Sequence, residues 1–139
     1  RIEKKKIWKT PTTLVLELYT KFHKGKILKS VVNSSNFVSF KLGKQPEYKN
    51  NKLIDSAVTM DGKNICMSVV NKSSSEKIRL KMPHLDRIAE NYCIKGSNKV
   101  DLNTFANTSK VKIIKNSLKI SKGFLILPPH SISVVLFNI

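Results

Sequence analysis

The hydrophobic pattern of the chain changes its period once, at Gly25, and this change limits the folds open to it. In residues 11–23, "PTTLVLELYTKFH", the apolar residues Leu14, Leu18 and Phe22 recur every four positions, which predicts an amphipathic helix. The proline that opens the stretch suits a first helical turn, and Gly25 is typical of a helix stop. Beyond Gly25, apolar and polar residues alternate, as they do in half-buried strands. The sequence therefore predicts one helix followed by a β-fold.

The apolar stripe of this helix is the first candidate interaction site. Its members are Leu14, Val15, Leu18, Tyr19 and Phe22. Monomeric proteins rarely expose large contiguous apolar patches, so the stripe needs a cover. Three outcomes stay open from the sequence: partial exposure, docking on the β-domain of the same chain, or cover by a second copy.

Short apolar runs between turn signals predict about eight antiparallel strands after the helix. The clearest hairpin flanks Asp61-Gly62, a dipeptide that favours a tight turn. Residues 76–82, "EKIRLKM", alternate strictly and predict a strand with one buried face. Residues 33–51 predict a long polar loop with a short strand at "FVSFKL", and residues 87–94 fit a strand or a short helix, with "YCI" favouring the strand. The fold class predicted is all-β, an antiparallel β-sandwich preceded by one N-terminal helix.

The ending "LPPHSISVVLFN", residues 127–138, raises the choice between catalysis and a closing strand. Adjacent side chains of a strand point to opposite faces, so His130 and Ser131 are not expected to act together as base and nucleophile. The two prolines instead set the start of a final strand. We expect His130 to tie the preceding turn by hydrogen bonds, which makes it a structural candidate.

The net charge of +17, from 26 basic and 9 acidic residues, favours anionic partners. Only Arg1, Arg79 and Arg87 are arginines, and recognition of bases and phosphates relies on the forked guanidinium. Lysines scattered singly are typical of solvated strand faces. Nucleic acid is therefore not an expected partner, and a basic polyanion-binding module is kept only as a third hypothesis.

No self-contained active site is visible in the sequence. The carboxyl residues show no spacing that pairs two of them, and His23, His84 and His130 lack partners at metal-ligand spacing. We therefore expect no catalytic residue, no metal and no cofactor. Cys66 and Cys93 are interpreted as buried hydrophobic residues. No apolar run approaches the roughly 18 residues of a membrane span and no signal peptide is visible, so no membrane partner is expected and the localisation stays unknown.

Three stretches, in order, resemble one enzyme family. "TPTTLVLELYTKFHKGKIL" resembles the last barrel helix of family 51 α-L-arabinofuranosidases, which leads into their C-terminal domain. "DSAVTMDGKNICMSVVNKSSSEKIRLKM" is similar to the hairpin of that domain, and "DLNTFANTSKVKII…LILPPHSISVVLF" resembles its ending. The resemblance spans nearly all of residues 10–138. It implies a division into residues 1–25, a terminal barrel helix with its lead-in, and residues 26–139, a jelly-roll-like C-terminal β-sandwich domain.

The resemblance also implies a function for the parent enzyme. That family releases terminal α-L-arabinofuranosyl residues with retention, using two glutamates on a (β/α)8 barrel upstream of the matched region. No residue of this chain inherits either role. The family's sandwich packs on the barrel and is completed by a strand from the enzyme's own N-terminus. The resemblance therefore implies that the helix stripe packs on the barrel, and a helix fully covered within one monomer would weaken the interpretation of the chain as a fragment. The chain begins at Arg1, which is compatible with a segment of a longer protein.

The preferred hypothesis is thus a non-catalytic C-terminal domain. Its expected partners are its own barrel, an arabinose-containing polysaccharide through the parent enzyme, and a second copy through the helix stripe or a sheet edge. The alternative is a stand-alone carbohydrate-binding β-sandwich. Its candidate sugar platform would consist of the aromatic residues Trp8, Tyr19, Tyr48 and Tyr92, although core positions are the commoner role for such residues.

Overall fold

The computed structural model describes residues 7–41, 43–98 and 100–138, and strands dominate this part of the chain. One α-helix, α1 (Pro11–Phe22), precedes them, and a single turn of 3₁₀ helix spans Leu85–Arg87. The strands are β1 (Lys26–Leu28), β2 (Asn36–Ser39), β3 (Tyr48–Lys52), β4 (Ile54–Asp61), β5 (Asn64–Asn71), β6 (Ile78–Leu80), β7 (Ile88–Lys95), β8 (Lys112–Lys115), β9 (Lys119–Ser121), β10 (Phe124–Leu127) and β11 (Ser131–Asn138).

The strands form three antiparallel sheets. A six-stranded sheet has the order β1-β4-β5-β11-β7-β8, a three-stranded sheet has the order β6-β10-β9, and β2 pairs with β3. The six-stranded and three-stranded sheets pack face to face, and α1 lies on the outer face of the larger one. The predicted all-β sandwich with one N-terminal helix is confirmed. The division at residue 25 stays a prediction.

Strand β11 lies in the middle of the larger sheet and is buried on both faces. Val135 and Phe137 belong to the cluster between the two sheets, while Val134 belongs to the cluster under α1. The predicted alternation of β11 side chains between two faces is therefore confirmed. A buried Val or Leu side chain is worth about 1.5–3 kcal/mol relative to an exposed one. Both clusters thus contribute to the stability of one strand.

Both cysteines are buried, as predicted. Cys93 lies in the cluster between the sheets and Cys66 lies in the cluster under α1. Burial raises the pKa of the Cys66 thiol to about 11 and also raises the pKa of Cys93. Both side chains are therefore neutral thiols at pH 7 and behave as small apolar residues.

The hairpin between β4 and β5 has the tightest form available to it. Asp61 and Asn64 are opposite each other in the ladder, which leaves Gly62 and Lys63 as a two-residue turn. Gly62 has φ +58°, in the left-handed region that glycine adopts without steric cost. The tight turn agrees with the sequence prediction, but Asp61 belongs to the strand.

One of two less regular segments differs from its sequence prediction. Residues 33–51 are not one long loop, because β2 and β3 pair within them and Asn51 Nδ2 donates to Ser39 Oγ at 2.9 Å. The second strand reads "YKNNK", so it shows no apolar alternation from which it could be predicted. The strand favoured for residues 87–94 is confirmed, since β7 spans Ile88–Lys95 and only Arg87 belongs to the preceding 3₁₀ turn.

An open groove of about 840 Å³ lies where the smaller sheet stops covering the larger one. Apolar side chains of β4, β5 and β6 line it, among them Val58, Met67 and Leu80. We call it the apolar groove. Strand β6 is the edge strand of the three-stranded sheet on this side. Within the described residues, no helix has the length and hydropathy needed to cross a membrane.

The sandwich core predicts a large difference between two leucine truncations. Leu125 on β10 is fully buried between the sheets, whereas Leu16 on α1 is 58% exposed. We expect Leu125→Ala to lower the free energy of unfolding by about 2–5 kcal/mol, because it leaves a cavity. Leu16→Ala should change it by less than about 0.5 kcal/mol. Urea denaturation followed by circular dichroism measures both, and similar losses would contradict the placement of the core.

Candidate functional site

The helix stripe is docked on the chain's own β-sandwich. Leu14 and Leu18 are buried against β7, β8 and β11, and Phe22 lies on Tyr92 with ring centroids 4.7 Å apart. Val15, Tyr19 and Phe22 are half-buried against the same cluster. Of the three outcomes that the sequence left open, the structure shows docking on the β-domain of the same chain, with three of the five stripe residues still partly exposed. The interface role of the stripe toward another body stays a prediction.

The ends of α1 explain why the helix spans these residues. Thr10 Oγ1 accepts a hydrogen bond from the Thr13 N–H at 3.3 Å, and Pro11 occupies the first turn, where it costs no hydrogen bond. At the other end the His23 N–H donates to Tyr19 O at 3.0 Å. The helix is fixed at both ends by local contacts, so its buried face meets the sheet in one register.

His130 occupies the turn between β10 and β11 with a backbone φ of +48°. Its N–H donates to Ser73 O at 3.0 Å, and Ser131 Oγ donates to Pro128 O at 2.7 Å. The serine hydroxyl is thus engaged with the backbone, as a turn residue is. The hydrogen bond from the His130 backbone agrees with a structural role, which for its side chain remains a prediction.

Asn71, at the end of β5, joins this turn to the centre of the fold. It is 1% exposed, and its Nδ2 donates to Pro128 O at 2.7 Å and to Glu76 O at 3.0 Å. Its Oδ1 accepts from the Ser73 N–H at 2.9 Å. Removing such a side chain would leave buried backbone groups without partners, which costs about 1–3 kcal/mol.

Asn103 plays the same part in the loop between β7 and β8. It is 7% exposed, its Nδ2 donates to Lys9 O at 2.7 Å and to Val111 O at 2.8 Å, and its Oδ1 accepts from the Val111 N–H at 2.7 Å. The side chain therefore connects the segment before α1, the loop and the start of β8. Lys9 is distant in sequence from Asn103 and Val111, and one buried amide holds the three together.

Asp101 organises the start of the same loop. One carboxylate oxygen accepts from the N–H groups of Ser97 at 2.6 Å and Asn98 at 2.9 Å, and from Ser97 Oγ at 2.7 Å. The other oxygen pairs with Lys110 Nζ at 2.7 Å. The lysine, followed by the serine hydroxyl and the Asn98 N–H, lowers the pKa of Asp101 well below its usual range.

Ion pairs with lysine account for four of the described carboxylates. They are Glu17 with Lys9, Asp55 with Lys72, Asp101 with Lys110, and Glu90 with Lys115. Glu90 Oε2 also accepts from Tyr92 Oη at 2.5 Å, so Lys115 and then Tyr92 lower the pKa of Glu90. Among the described residues, no group of three His, Cys, Asp or Glu side chains is placed to hold a metal ion.

The comparison with family models decides what this arrangement is. Residues 1–131 match the model described as the alpha-L-arabinofuranosidase C-terminal domain. The chain belongs to the α-L-arabinofuranosidase C-terminal domain family. The resemblance seen in the sequence is thereby confirmed.

Solved structures share the fold of this family member. A GH51 α-L-arabinofuranosidase from Thermotoga petrophila RKU-1 is 23% identical with a TM-score of 0.79, over 98% of this chain and 30% of that one. An arabinofuranosidase crystal structure is 24% identical with a TM-score of 0.81, over 99% and 31%. The α-L-arabinofuranosidase from Thermotoga maritima, in complex with arabinose, is 20% identical with a TM-score of 0.75, over 94% and 29%. No curated protein sequence matches significantly. The chain thus spans about a third or less of these structures.

The family's signature stretches contain the buried polar residues described above. Asn71 ends the "SVVN" run, and Asp101 and Asn103 stand in "DLNTF". The sequence alone did not predict the structural role of these three residues. The signal in the sequence was the residue type. Asn and Asp side chains in turns and loops commonly form hydrogen bonds with the nearby backbone.

An exposed apolar surface adjoins the Asn103 loop in this α-L-arabinofuranosidase C-terminal domain. Trp8 is 37% exposed and contacts Phe105 edge to face, with ring centroids 6.2 Å apart. Val100, Leu102 and Phe105 are each at least 60% exposed. We call these four residues the Trp8 patch. Several large exposed apolar side chains, on one loop and on the segment before α1 that contacts it, are typical of an interaction surface.

The Asp101 site predicts a pH dependence of stability. Since the folded pKa of Asp101 is below the unfolded value of about 3.9, its stabilisation is present above pH 4 and is lost as the pH falls toward the folded pKa. We expect Asp101→Asn to have a lower Tm than the parent at pH 6. The difference should shrink between about pH 4 and pH 2.

The matched control is Asp55→Asn, which removes a carboxylate that is 68% exposed and lies 3.7 Å from its lysine. A surface pair of this kind contributes little, so its Tm difference should be near zero at every pH. Thermal unfolding scans from pH 7 to pH 2 measure both variants. Equal behaviour of the two would contradict a structural role for Asp101.

Proposed function

We propose that the chain is the non-catalytic C-terminal domain of an α-L-arabinofuranosidase-like glycoside hydrolase, whose catalytic part releases terminal α-L-arabinofuranosyl residues with retention. The observation that carries this proposal is the family match over residues 1–131 of a chain that spans only 26–31% of four GH51-like arabinofuranosidase structures. In those enzymes, most of the polypeptide lies outside the matched domain. The role of the domain is to support the catalytic part.

The charge arrangement supports a structural role. A retaining glycosidase uses two carboxyl groups about 5–5.5 Å apart, with one acting as nucleophile. Here Glu90 is held by Lys115 and Tyr92, and Asp101 by Lys110 and backbone N–H groups. Both carboxylates have lowered pKa values, which suits neither for the role of a general acid.

The Trp8 patch is the surface we propose for contact with the catalytic part. Trp8 stands just before α1, on the segment that Asn103 ties to the sandwich. A preceding domain joined through this segment would emerge beside Leu102 and Phe105. Aromatic and aliphatic side chains of this kind form the buried centres of domain interfaces.

The apolar groove is the place we propose for an added strand from the same longer protein. It runs beside β6, which pairs with β10 along one edge. The other edge of β6 is the outer edge of the three-stranded sheet as the structure describes it. An extended segment pairing with the other edge of β6 would cover Val58 and Met67 with its side chains. Addition of a strand to a sheet edge gives affinity through backbone hydrogen bonds and specificity through alternate side chains.

A second copy of the chain is the competing occupant of the same sheet edge. The helix stripe is already packed on the chain's own sheet, so a second copy has no need to cover it. Strand β6 offers an edge that either an intramolecular strand or a second copy would occupy. We favour the intramolecular strand, because the enzymes that share this fold have chains more than three times as long.

The alternative of a stand-alone carbohydrate-binding module finds little support in the aromatic residues. Tyr19 lies against His23, Tyr92 is buried against Phe22, and Trp8 contacts Phe105. Tyr48 is on β3, in the separate two-stranded sheet. The four candidates do not share one flat platform for a sugar ring. Binding of arabino-oligosaccharides at millimolar concentration or tighter by the 139-residue chain would favour this alternative.

The direct test needs the DNA sequence upstream and downstream of the part of the gene that encodes these 139 residues. The longer protein encoded there is then compared with the 139-residue chain. We expect the chain to show no hydrolysis of 4-nitrophenyl α-L-arabinofuranoside, and the longer protein to hydrolyse it. Hydrogen exchange of the amides in residues 77–83 should be slower in the longer protein, because an added strand protects the β6 edge.

The matched control segment is residues 119–121 of β9, at the opposite edge of the three-stranded sheet, whose exchange should be the same in both proteins. A longer reading frame without a second domain, or hydrolysis by the 139-residue chain itself, would contradict the proposed function. Unchanged exchange of residues 77–83 in an active longer protein would contradict only the strand.

A further inference from the structure

A second concave region, distinct from the apolar groove, lies on the other side of the sandwich and is lined by lysines. It has a volume of about 570 Å³, between the β7–β8 side of the larger sheet and strands β9 and β10 of the smaller one. Its lysines are Lys77, Lys95, Lys110, Lys112 and Lys119. We call it the basic cleft. Its volume lies within the range of ordinary ligand pockets.

The positive charge of the basic cleft is largely uncompensated. Lys110 pairs with Asp101, whose carboxylate is otherwise engaged with Ser97 and Asn98. Among the described residues, no carboxylate lies within ion-pair distance of the other four lysines. Four cations converging on one concave region raise the local concentration of an anion.

The strand register adds a second observation. Lys95 on β7 lies directly opposite Lys112 on β8. Like charges in directly opposite positions destabilise a pair of strands. The fold therefore carries an unfavourable pair in the lining of the basic cleft, and a bound anion would relieve it.

The other lining residues indicate which class of anion fits. Ser97 Oγ donates to Asp101 Oδ2 and Ser117 Oγ donates to Ile114 O, so each hydroxyl oxygen is left to accept a hydrogen bond from a sugar hydroxyl. Ile126, Pro128 and Pro129 supply an apolar wall. Among the residues that the structure describes, no aromatic side chain lines the cleft, so these residues offer no platform on which nucleobases stack. The same described lining contains no arginine, although arginine is the usual fork for phosphates. A cleft that is concave also fits an extended polymer chain better than it fits a membrane, because a lipid surface is flat.

We propose that the basic cleft binds an acidic glycan, that is, a sugar chain carrying carboxylate or sulfate groups. The lysines pair with its charged groups, the serines meet its hydroxyls, and the apolar wall packs on the ring faces. This surface is separate from the residues proposed to contact the catalytic part. The proposal therefore stands or falls independently of the proposed glycosidase function.

The test is a titration of the 139-residue chain with labelled octasaccharides at about 50 mM salt, where surface charges are weakly screened. The probes are an oligogalacturonate for carboxylates, a heparin fragment for sulfates, and a neutral arabino-oligosaccharide. We expect a dissociation constant of about 100 µM or tighter for at least one acidic probe, and weaker binding as salt rises. Whichever acidic probe binds more tightly identifies the charged group.

The variant Lys95→Gln with Lys112→Gln should weaken that binding by about tenfold, because two charge-assisted contacts are removed. The matched control is Lys26→Gln with Lys63→Gln, which removes the same charge at the β1 edge and the β4–β5 turn. We expect the control to change affinity by less than about twofold. Equal losses in the two variants would overturn the proposal, because binding would then depend on net charge alone.

A third variant separates binding from folding. Lys112→Glu replaces the like-charge pair with an attractive one, so we expect its Tm to rise by about 2 °C while acidic-glycan binding is lost. Absence of binding to both acidic probes would overturn the proposal. So would tighter binding, through the same lysines, of a 20-base-pair DNA duplex or of phosphatidylserine vesicles.

Discussion

The burial of β11 on both faces is the constraint from which the rest of the structure follows. A strand with Val134 on one face and Val135 on the other must be covered twice. The three-stranded sheet covers one face, and α1 covers the other. The helix is thus a layer of the domain, because without it Val134, Cys66 and Ile94 would face water.

Buried amide side chains connect the covered strand to its surroundings. Asn71 holds the turn before β11, and Asn103 holds the segment before α1 to the start of β8. Each bridges backbone groups that no strand or helix satisfies. Polar groups in the interior need such partners, so the two asparagines fix the positions of the loops. The same loops carry the surfaces proposed for other molecules.

The sequence predicts the layers of this fold well, because each layer has a local period. Leu14 and Leu18 stand four residues apart, and Ile78 and Leu80 stand two apart, which is enough to distinguish a helix from a strand. The two-stranded sheet escapes prediction, since "YKNNK" has no apolar residue at alternate positions. Which sheet face α1 covers also depends on tertiary packing that no local period encodes.

The candidate surfaces were harder to predict than the layers. Lys77, Lys95 and Lys119 are distant in sequence and read individually as solvated lysines, and only the order β6-β10-β9 against β7-β8 brings them to one cleft. The apolar groove likewise depends on where the smaller sheet ends. Asn71 and Asn103 lie within the stretches that resemble the family, but their partners, Pro128 O and Lys9 O, become visible only in the fold.

The central claim is that α1 and the two main sheets form one cooperative unit. Trp8, the single tryptophan, lies beside α1 and contacts Phe105, so its fluorescence reports on the helical side of the domain. Far-UV circular dichroism reports mainly on the strands. Urea unfolding of the 139-residue chain, followed by both signals, should give coincident transitions with one midpoint. A fluorescence transition at clearly lower urea than the loss of β-structure would contradict the account, because it would show that the helical layer separates from an intact sandwich.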